Sequence, residues 1–276
     1  MSTDQLTRRD HTRGDHTARD LTARGVSPLH SGAIFAGRSL RHSLRDGEGI
    51  VMAIVLPLTL MLMFTYIFGG AILGPGYLDY VVPGVLVLCA TQGAASVAAA
   101  VSRDLSTGVM NRFRTLPIAS ATALVGHVAA SMVRNLIGSS VVLGVALLLG
   151  YRPTGGALSL LAALGLMMIY ILTITTIMAT IGLISGSPEN AAGYGFLFFI
   201  LPYVSSGFVP VQTMPGWLQV FAANQPYTLV IETLRGFLQG TPVSPGVGIG
   251  ALAWCVGLII ACGALCGWLF PRKITR

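Results

Sequence analysis

The sequence predicts an all-α membrane protein. It has six transmembrane helices, cytoplasmic N and C termini, an N-terminal amphipathic interfacial helix, and short extracellular helices between spans five and six. Three observations carry this reading. Only 10% of the 276 residues are charged and 53% are hydrophobic, whereas soluble domains carry about 25% charged residues. Such a chain suits a lipid-facing surface rather than a water-facing one. Six apolar stretches of spanning length alternate with short polar segments. Finally, the positive charge is gathered on one side. Of the 17 lysines and arginines, the N-terminal arm holds eight, the stretch Arg103–Leu124 three and the C-terminal tail three. The positive-inside rule places those segments in the cytoplasm and leaves only Arg152 and Arg235 outside.

Residues 1–29 are polar and repeat at a five-residue step: Arg9-Asp10-His11-Thr12, Gly14-Asp15-His16-Thr17, Arg19-Asp20-Leu21-Thr22. With so little apolar surface to bury, they read as a disordered cytoplasmic tail ahead of a single membrane domain over 30–276. They do not read as a cleavable signal peptide, because the first apolar run begins near Ile50. Over His30–Gly49, Arg38, Arg41, His42 and Arg45 fall on one helical face, with Ala33, Ala36, Leu40 and Leu44 opposite. A helix lying on the cytoplasmic membrane surface fits this pattern, and a plain juxtamembrane basic segment is the alternative.

The first span, Ile50–Phe68, is uncharged and contains Pro57, which a lipid-embedded bundle tolerates. Gly69–Asp79 lacks Lys and Arg and therefore faces outward, with Tyr77 and Tyr80 suited to the interfacial aromatic belt. The second span is Tyr80–Val101 and the third Val125–Gly150. His127 and Arg134 share a face of the third span. An arginine inside a span is a functional candidate. Leu136–Gly150 is also short enough for Arg134 to snorkel to the inner interface, so both readings stand.

The fourth span, Ala157–Ile184, carries Thr173, Thr175, Thr176 and Thr180, suited to bonds within their helix or to its neighbours. Pro188 and Glu189 suit the first turn ahead of the fifth span, Ala191–Val211, which contains Pro202. Two short outer helices follow. Trp217 and Phe221 lie four apart in the first; Glu232 and Arg235 lie three apart in the second, Tyr227–Leu238, and are spaced to pair. Gly240 suits its end. The sixth span is Val247–Phe270, and a basic tail closes the chain.

Little catalytic chemistry can be assembled. Four of the five histidines lie within the first 42 residues, and no carboxylate sits clearly inside a span, which argues against a proton relay of the secondary-transporter kind. The four cysteines lie in apolar stretches without further metal ligands nearby and read as packing residues. The one lysine is Lys273, so no phosphate-binding loop can be built. No basic face is interleaved with aromatics for nucleic acid. The expectation is a chain that is not an enzyme, holds no cofactor or metal, and binds no nucleic acid. Energy for uphill transport would come from another chain or an ion gradient.

Three stretches carry a resemblance. Gly108-Val109-Met110-Asn111-Arg112-Phe113-Arg114-Thr115-Leu116-Pro117-Ile118 resembles a cytoplasmic segment of type-2 ATP-binding-cassette (ABC) exporter permeases. Phe208-Val209-Pro210 with Met214-Pro215-Gly216-Trp217-Leu218 is the second, and Asn224-Gln225-Pro226-Tyr227 with Leu234-Arg235-Gly236 the third. In this order they are similar to the daunorubicin-resistance group of drug or lipid exporters, over about residues 30–272.

The resemblance implies a permease homodimer in a bacterial plasma membrane, working with two copies of a separate ABC ATPase subunit that binds the ATP. It implies ATPase contacts by the interfacial helix (Arg38, Arg41, Arg45) and by the loop (Arg103, Met110, Arg112, Phe113, Arg114, Leu116, Pro117). The residues suit this: Met110 and Phe113 to fill a cleft, Arg112 and Arg114 to meet an acidic rim, Pro117 to stiffen a lever. If the arginines were topology determinants alone, Phe113 and Leu116-Pro117 would have no purpose. Trp217, Phe221, Glu232 and Arg235 would belong to an extracellular lid. The apolar and Thr/Ser-lined spans suit a hydrophobic or amphipathic drug or lipid-like substrate. A polysaccharide or glycolipid export permease, favoured by an aromatic-lined groove, is the alternative within the family. A stand-alone secondary transporter is the alternative outside it.

Overall fold

A computed structural model describes residues 47–74, 76–106 and 121–274. Most of these are helical, with no strand among the described residues. The tail, nearly all of the expected interfacial helix and most of the Arg103–Leu124 stretch lie outside them. Helix α1 (Gly47–Met63) runs through a π-helical turn, Phe64–Phe68, into Gly69–Ile72. Then follow α2 (Tyr77–Ser106), α3 (Ala121–Leu148), α4 (Ala157–Ile184), α5 (Pro188–Ile200), α6 (Gly216–Asn224), α7 (Pro226–Gln239) and α8 (Pro245–Ile274).

Five helices are long and apolar enough to cross a membrane: Ala53–Ile72, Tyr77–Ser106, Val125–Leu148, Ala157–Ile184 and Pro245–Leu269. The fifth expected span, Ala191–Val211, is not one helix. α5 stops at Ile200, Leu201–Val204 tightens into a 3-10 turn, and irregular chain follows to Pro210. At 1.5 Å per residue α5 reaches only about 20 Å, short of a hydrocarbon core of about 30 Å. Pro202 removes one helical donor, and Ser205-Ser206-Gly207 after it adds weak helix formers. Pro57 and Pro83, by contrast, stay inside α1 and α2.

α2 is the hub, packed against α1, α3, α4, α5 and α7. Lipid gives helices no hydrophobic drive to associate, so close approach and hydrogen bonds between them hold the bundle. Gly84 of α2 lies directly on the backbone of Gly207: a Cβ there would sit 2.5 Å from the Gly207 carbonyl oxygen. The α4 threonines bond both ways. Thr173 Oγ1 donates to Ile169 O at 2.8 Å and reaches Cys255 O of α8 at 3.4 Å. Thr180 Oγ1 donates to Thr176 O and lies 3.0 Å from Cys266 Sγ of α8. Thr175 Oγ1 meets Ser131 Oγ of α3 at 3.3 Å.

The connections 72–77, 149–156 and 239–245 share one end of the bundle, the cap end. There Gly155 N–H donates to Leu238 O at 3.0 Å and Gln239 Nε2 to Asp79 O at 2.8 Å. Gly240, at φ +64°, closes α7 in the left-handed region that glycine adopts without strain. The C-terminal end of α2 and the N-terminal end of α3 lie at the opposite end, the loop end.

Candidate functional site

Backbone released from a helix at membrane depth must find partners in the protein. At the cap end the irregular segment after α5 finds them in side chains. Val204 O accepts from Gln225 Nε2, and Phe208 O accepts from Tyr77 OH at 2.7 Å. Ser206 O accepts from Tyr80 OH and from Arg235 Nη2, both at 2.8 Å. Ser206 N–H donates to Thr228 Oγ1 at 3.2 Å. Tyr77 is therefore buried and Tyr80 half-buried, both facing the protein, which corrects the aromatic-belt expectation. Their hydroxyls are needed as donors to carbonyls far along the chain.

Arg235 is the centre of this arrangement and is only 8% exposed. Nε and Nη2 also donate to Tyr80 O, at 3.3 and 3.1 Å, and Nη1 meets Glu232 Oε1. Its guanidinium lies 3.9 Å from the centre of the Tyr80 ring. A planar fork of five donors suits several carbonyls at once, where a lysine would offer a single point. One side chain thus ties α7 to α2 and to the irregular segment. The i,i+3 spacing gave the Glu232 pair; nothing in the sequence pointed to Ser206 or Tyr80.

At the loop end, His127 Nε2 of α3 lies 2.8 Å from Asp104 Oδ2 in the last turn of α2. The pair joins the C-terminal end of α2 to the N-terminal end of α3. Sequence reasoning missed Asp104; its available signal was its place one residue beyond Arg103, at the mouth of the same loop as His127. Arg103 is exposed. The Glu189 carboxyl, at the start of α5, is held below the usual carboxylate range. Its own backbone N–H does most of this, then the Ser187 hydroxyl, with Arg103 contributing. Ser187 caps α5 by accepting from Asn190 N–H at 3.2 Å. Arg134 is half-buried on α3. Arg38, Arg41, Arg45, Met110, Arg112, Phe113, Arg114, Leu116 and Pro117 lie outside the described residues.

A cavity of about 460 Å³ opens between α4, α5, α6, α7 and α8. Tyr170, Phe198, Phe221, Tyr227 and Trp254 contribute aromatic walls. The nearby hydroxyls are already engaged: Tyr170 OH with Thr91 Oγ1, Tyr227 OH with Phe198 O, Thr173 within α4. The surface left is almost entirely carbon. Phe221 stands at the mouth, half exposed; Trp217, 77% exposed, does not line the cavity. Among the described residues no three His, Cys, Asp or Glu side chains gather as a metal site.

The family model for ABC-2 type transporters matches residues 33–238. A probable doxorubicin resistance ABC transporter permease protein, DrrC, of Mycobacterium tuberculosis is 30% identical over 243 residues, 87% of each chain. A daunorubicin resistance ABC transporter permease protein, DrrB1, of Streptomyces coeruleorubidus is 29% identical over 218 residues, 78% of this chain and 74% of that one. A putative transport permease, ycf38, of Pyropia yezoensis is 23% identical, over 76% of each chain.

Proposed function

The chain belongs to the ABC-2 type transporter family, and from that premise we propose that it is the membrane-spanning permease of an ATP-driven exporter of hydrophobic or amphipathic drug-like or lipid-like molecules. The observation that carries this is the 30% identity over 87% of both chains to a permease named for doxorubicin resistance. The loop end is cytoplasmic, as its arginines ask, and the cap end faces outward. Two copies work with two ATPase subunits, which bind and hydrolyse the ATP, in a bacterial plasma membrane.

The ATPases press on the loop 107–120, with Phe113 and Met110 filling a cleft and Arg112 and Arg114 meeting acidic groups. The Asp104–His127 contact makes α2 and α3 move together. Because α2 touches α1, α3, α4, α5 and α7, a push at its loop end reaches the whole bundle. At the cap end, Arg235 holds α7 fast, so the moving part of the outer lid is α6 with Trp217 and Phe221. The aromatic walls of the cavity are the feature expected of polysaccharide export, but a sugar also needs hydrogen-bonding groups, which this almost wholly carbon surface lacks.

The test is co-expression with an ABC ATPase subunit, followed by pull-down and by doxorubicin uptake into inverted vesicles. Phe113→Asp and Arg114→Glu abolish ATP-dependent uptake and weaken the pull-down, while the protein still reaches the membrane. Unchanged pull-down and uptake in both variants would defeat the coupling role. Uptake by the chain alone, without nucleotide, would defeat the class.

A further inference from the structure

We propose that the cavity between α4, α5, α6, α7 and α8 is a lipid site that takes one acyl chain of a membrane phospholipid, with the glycerol and headgroup at Asn224. Three observations select this occupant. First, the wall offers nothing polar to an occupant. The hydroxyls of Tyr170, Tyr227 and Thr173 are engaged, and Gln225 spends its Nε2 on Val204 O. Gln225 Oε1 has no partner but lies behind the wall, with less than 1 Å² accessible. A molecule with polar groups spread along its body would bury them unpaired here; a hydrocarbon chain has none to lose.

Second, the mouth faces lipid. Phe221 and Trp254 frame it at 50% and 47% exposure, and on the same side of α8 as Trp254 the apolar Leu265 and Trp268 are exposed as well. An acyl chain entering from that face never crosses a polar surface. Third, Asn224 is the exposed polar side chain at the rim. Its Nδ2 donates to Val220 O at 2.8 Å, so the amide oxygen is the group of this exposed side chain that can accept from a headgroup or glycerol donor.

The site has a consequence for the cap end. Leu201 belongs to the irregular segment, and Tyr227 and Val230 to α7, the same two elements that Arg235 ties together. The acyl chain is therefore a packing partner for the segment where α5 breaks, and its loss loosens the cap. This assignment rests on the cavity and not on the export reading.

The full-length chain in nanodiscs of dioleoyl phosphatidylglycerol, examined by native mass spectrometry under activation that strips annular lipid, tests it. One phospholipid stays with each wild-type chain and with Ile260→Trp, which lies on α8 outside the cavity. Retention falls about tenfold or more in the cavity-filling variants Ile177→Trp and Val230→Phe. No retained phospholipid in the wild type, or equal retention in the filled variants, overturns the assignment.

If circular dichroism shows that both filled variants misfold, lysophosphatidylcholines titrated into delipidated wild type decide instead. The unfolding midpoint rises saturably, and more for long acyl chains than for short ones. A rise independent of chain length overturns the site. So does saturable binding of aminoanthracene that lysolipid does not displace, which would make the occupant a ring compound. Pull-down of the ATPase is a separate readout, so a failed export reading leaves this result standing.

Discussion

Helices α2 and α8 are both 30 residues long, and the more apolar of the two is the less buried. Within its apolar window α8 is 17% buried, whereas α2 is 72% buried. In water that order would be reversed. In lipid, bulky Ile249, Leu252, Trp254 and Ile260 gain nothing by leaving the bilayer, so they stay on its side. α8 is as rich in small residues as α2, but Gly246, Gly257, Gly263 and Gly267 meet nothing within 4 Å, whereas on α2 Gly84 lies on Gly207 and Gly93 on Asn135. To these are added polar contacts such as Thr91 with Tyr170. Centrality in this bundle follows where small residues are met by a neighbour and where hydrogen bonds cross between helices.

The strongest way to break this contrast is to enlarge one glycine on each helix. Gly84→Val forces a side chain onto the Gly207 backbone, which has no rotamer to yield. The expected loss exceeds about 4 kcal/mol, seen as failure to fold or collapse of the unfolding midpoint in detergent. Gly257→Val on α8 has no neighbouring atom within 4 Å, and its midpoint is unchanged. Equal behaviour of the two variants would remove the distinction between the helices.

Arg235→Leu comes next. It removes both arginine donors from Tyr80 O and one of the two from Ser206 O, which keeps Tyr80 OH, and it leaves Glu232 without its partner. At about 1–3 kcal/mol per buried group left unsatisfied, a loss of about 3 kcal/mol is expected. It should come with new protease cleavage within 201–210. Glu232→Gln keeps the carbonyl contacts of Arg235 and costs less than about 1 kcal/mol, because Glu232 is partly exposed. If Arg235→Leu were as mild as Glu232→Gln, the ion pair and not the carbonyl network would be what matters.

These contrasts also separate what the sequence could tell from what it could not. The span Ala157–Ile184 is read and observed with the same ends, because an uncharged run between two turns leaves little choice. The Glu232–Arg235 pair is local and follows from helical spacing. The break in α5 does not follow, because Pro57, Pro83 and Pro202 look alike in one dimension. Which proline ends a helix depends on whether partners wait for the freed carbonyls. Here those partners are Tyr77 and Tyr80, more than 120 residues earlier, and, later in the chain, Gln225 between α6 and α7 and Arg235 on α7. Tyr77 read as a belt residue for the same reason: its partner, Phe208 O, lies 131 residues away. Asp104 was likewise invisible until α2 and α3 were brought side by side.

A smaller effect sharpens the comparison along α2 itself. Its cap end is tied by Arg235, its loop end by the half-buried contact of Asp104 with His127. Such a contact is worth about 1 kcal/mol or less in stability. His127→Ala should therefore barely move the unfolding midpoint while reducing ATP-dependent uptake, since α3 no longer follows α2. A matched fall in stability and uptake would make the contact a packing feature without a coupling role.

The smallest expected effect lies on α8. Val87 of α2 is fully buried and Ile260 of α8 is 65% exposed, so truncating each to Ala asks where the side-chain contacts reside. Val87→Ala empties space that protein atoms lined, and costs about 1 kcal/mol through lost packing. Ile260→Ala exchanges one lipid contact for another, because acyl chains flow into the space, and the shift stays within about 0.5 kcal/mol. The measurement is the unfolding midpoint of both variants in the same nanodisc lipid. An Ile260→Ala shift as large as that of Val87→Ala would show that α8 is covered by protein in the working assembly, on a face that a single chain leaves to lipid.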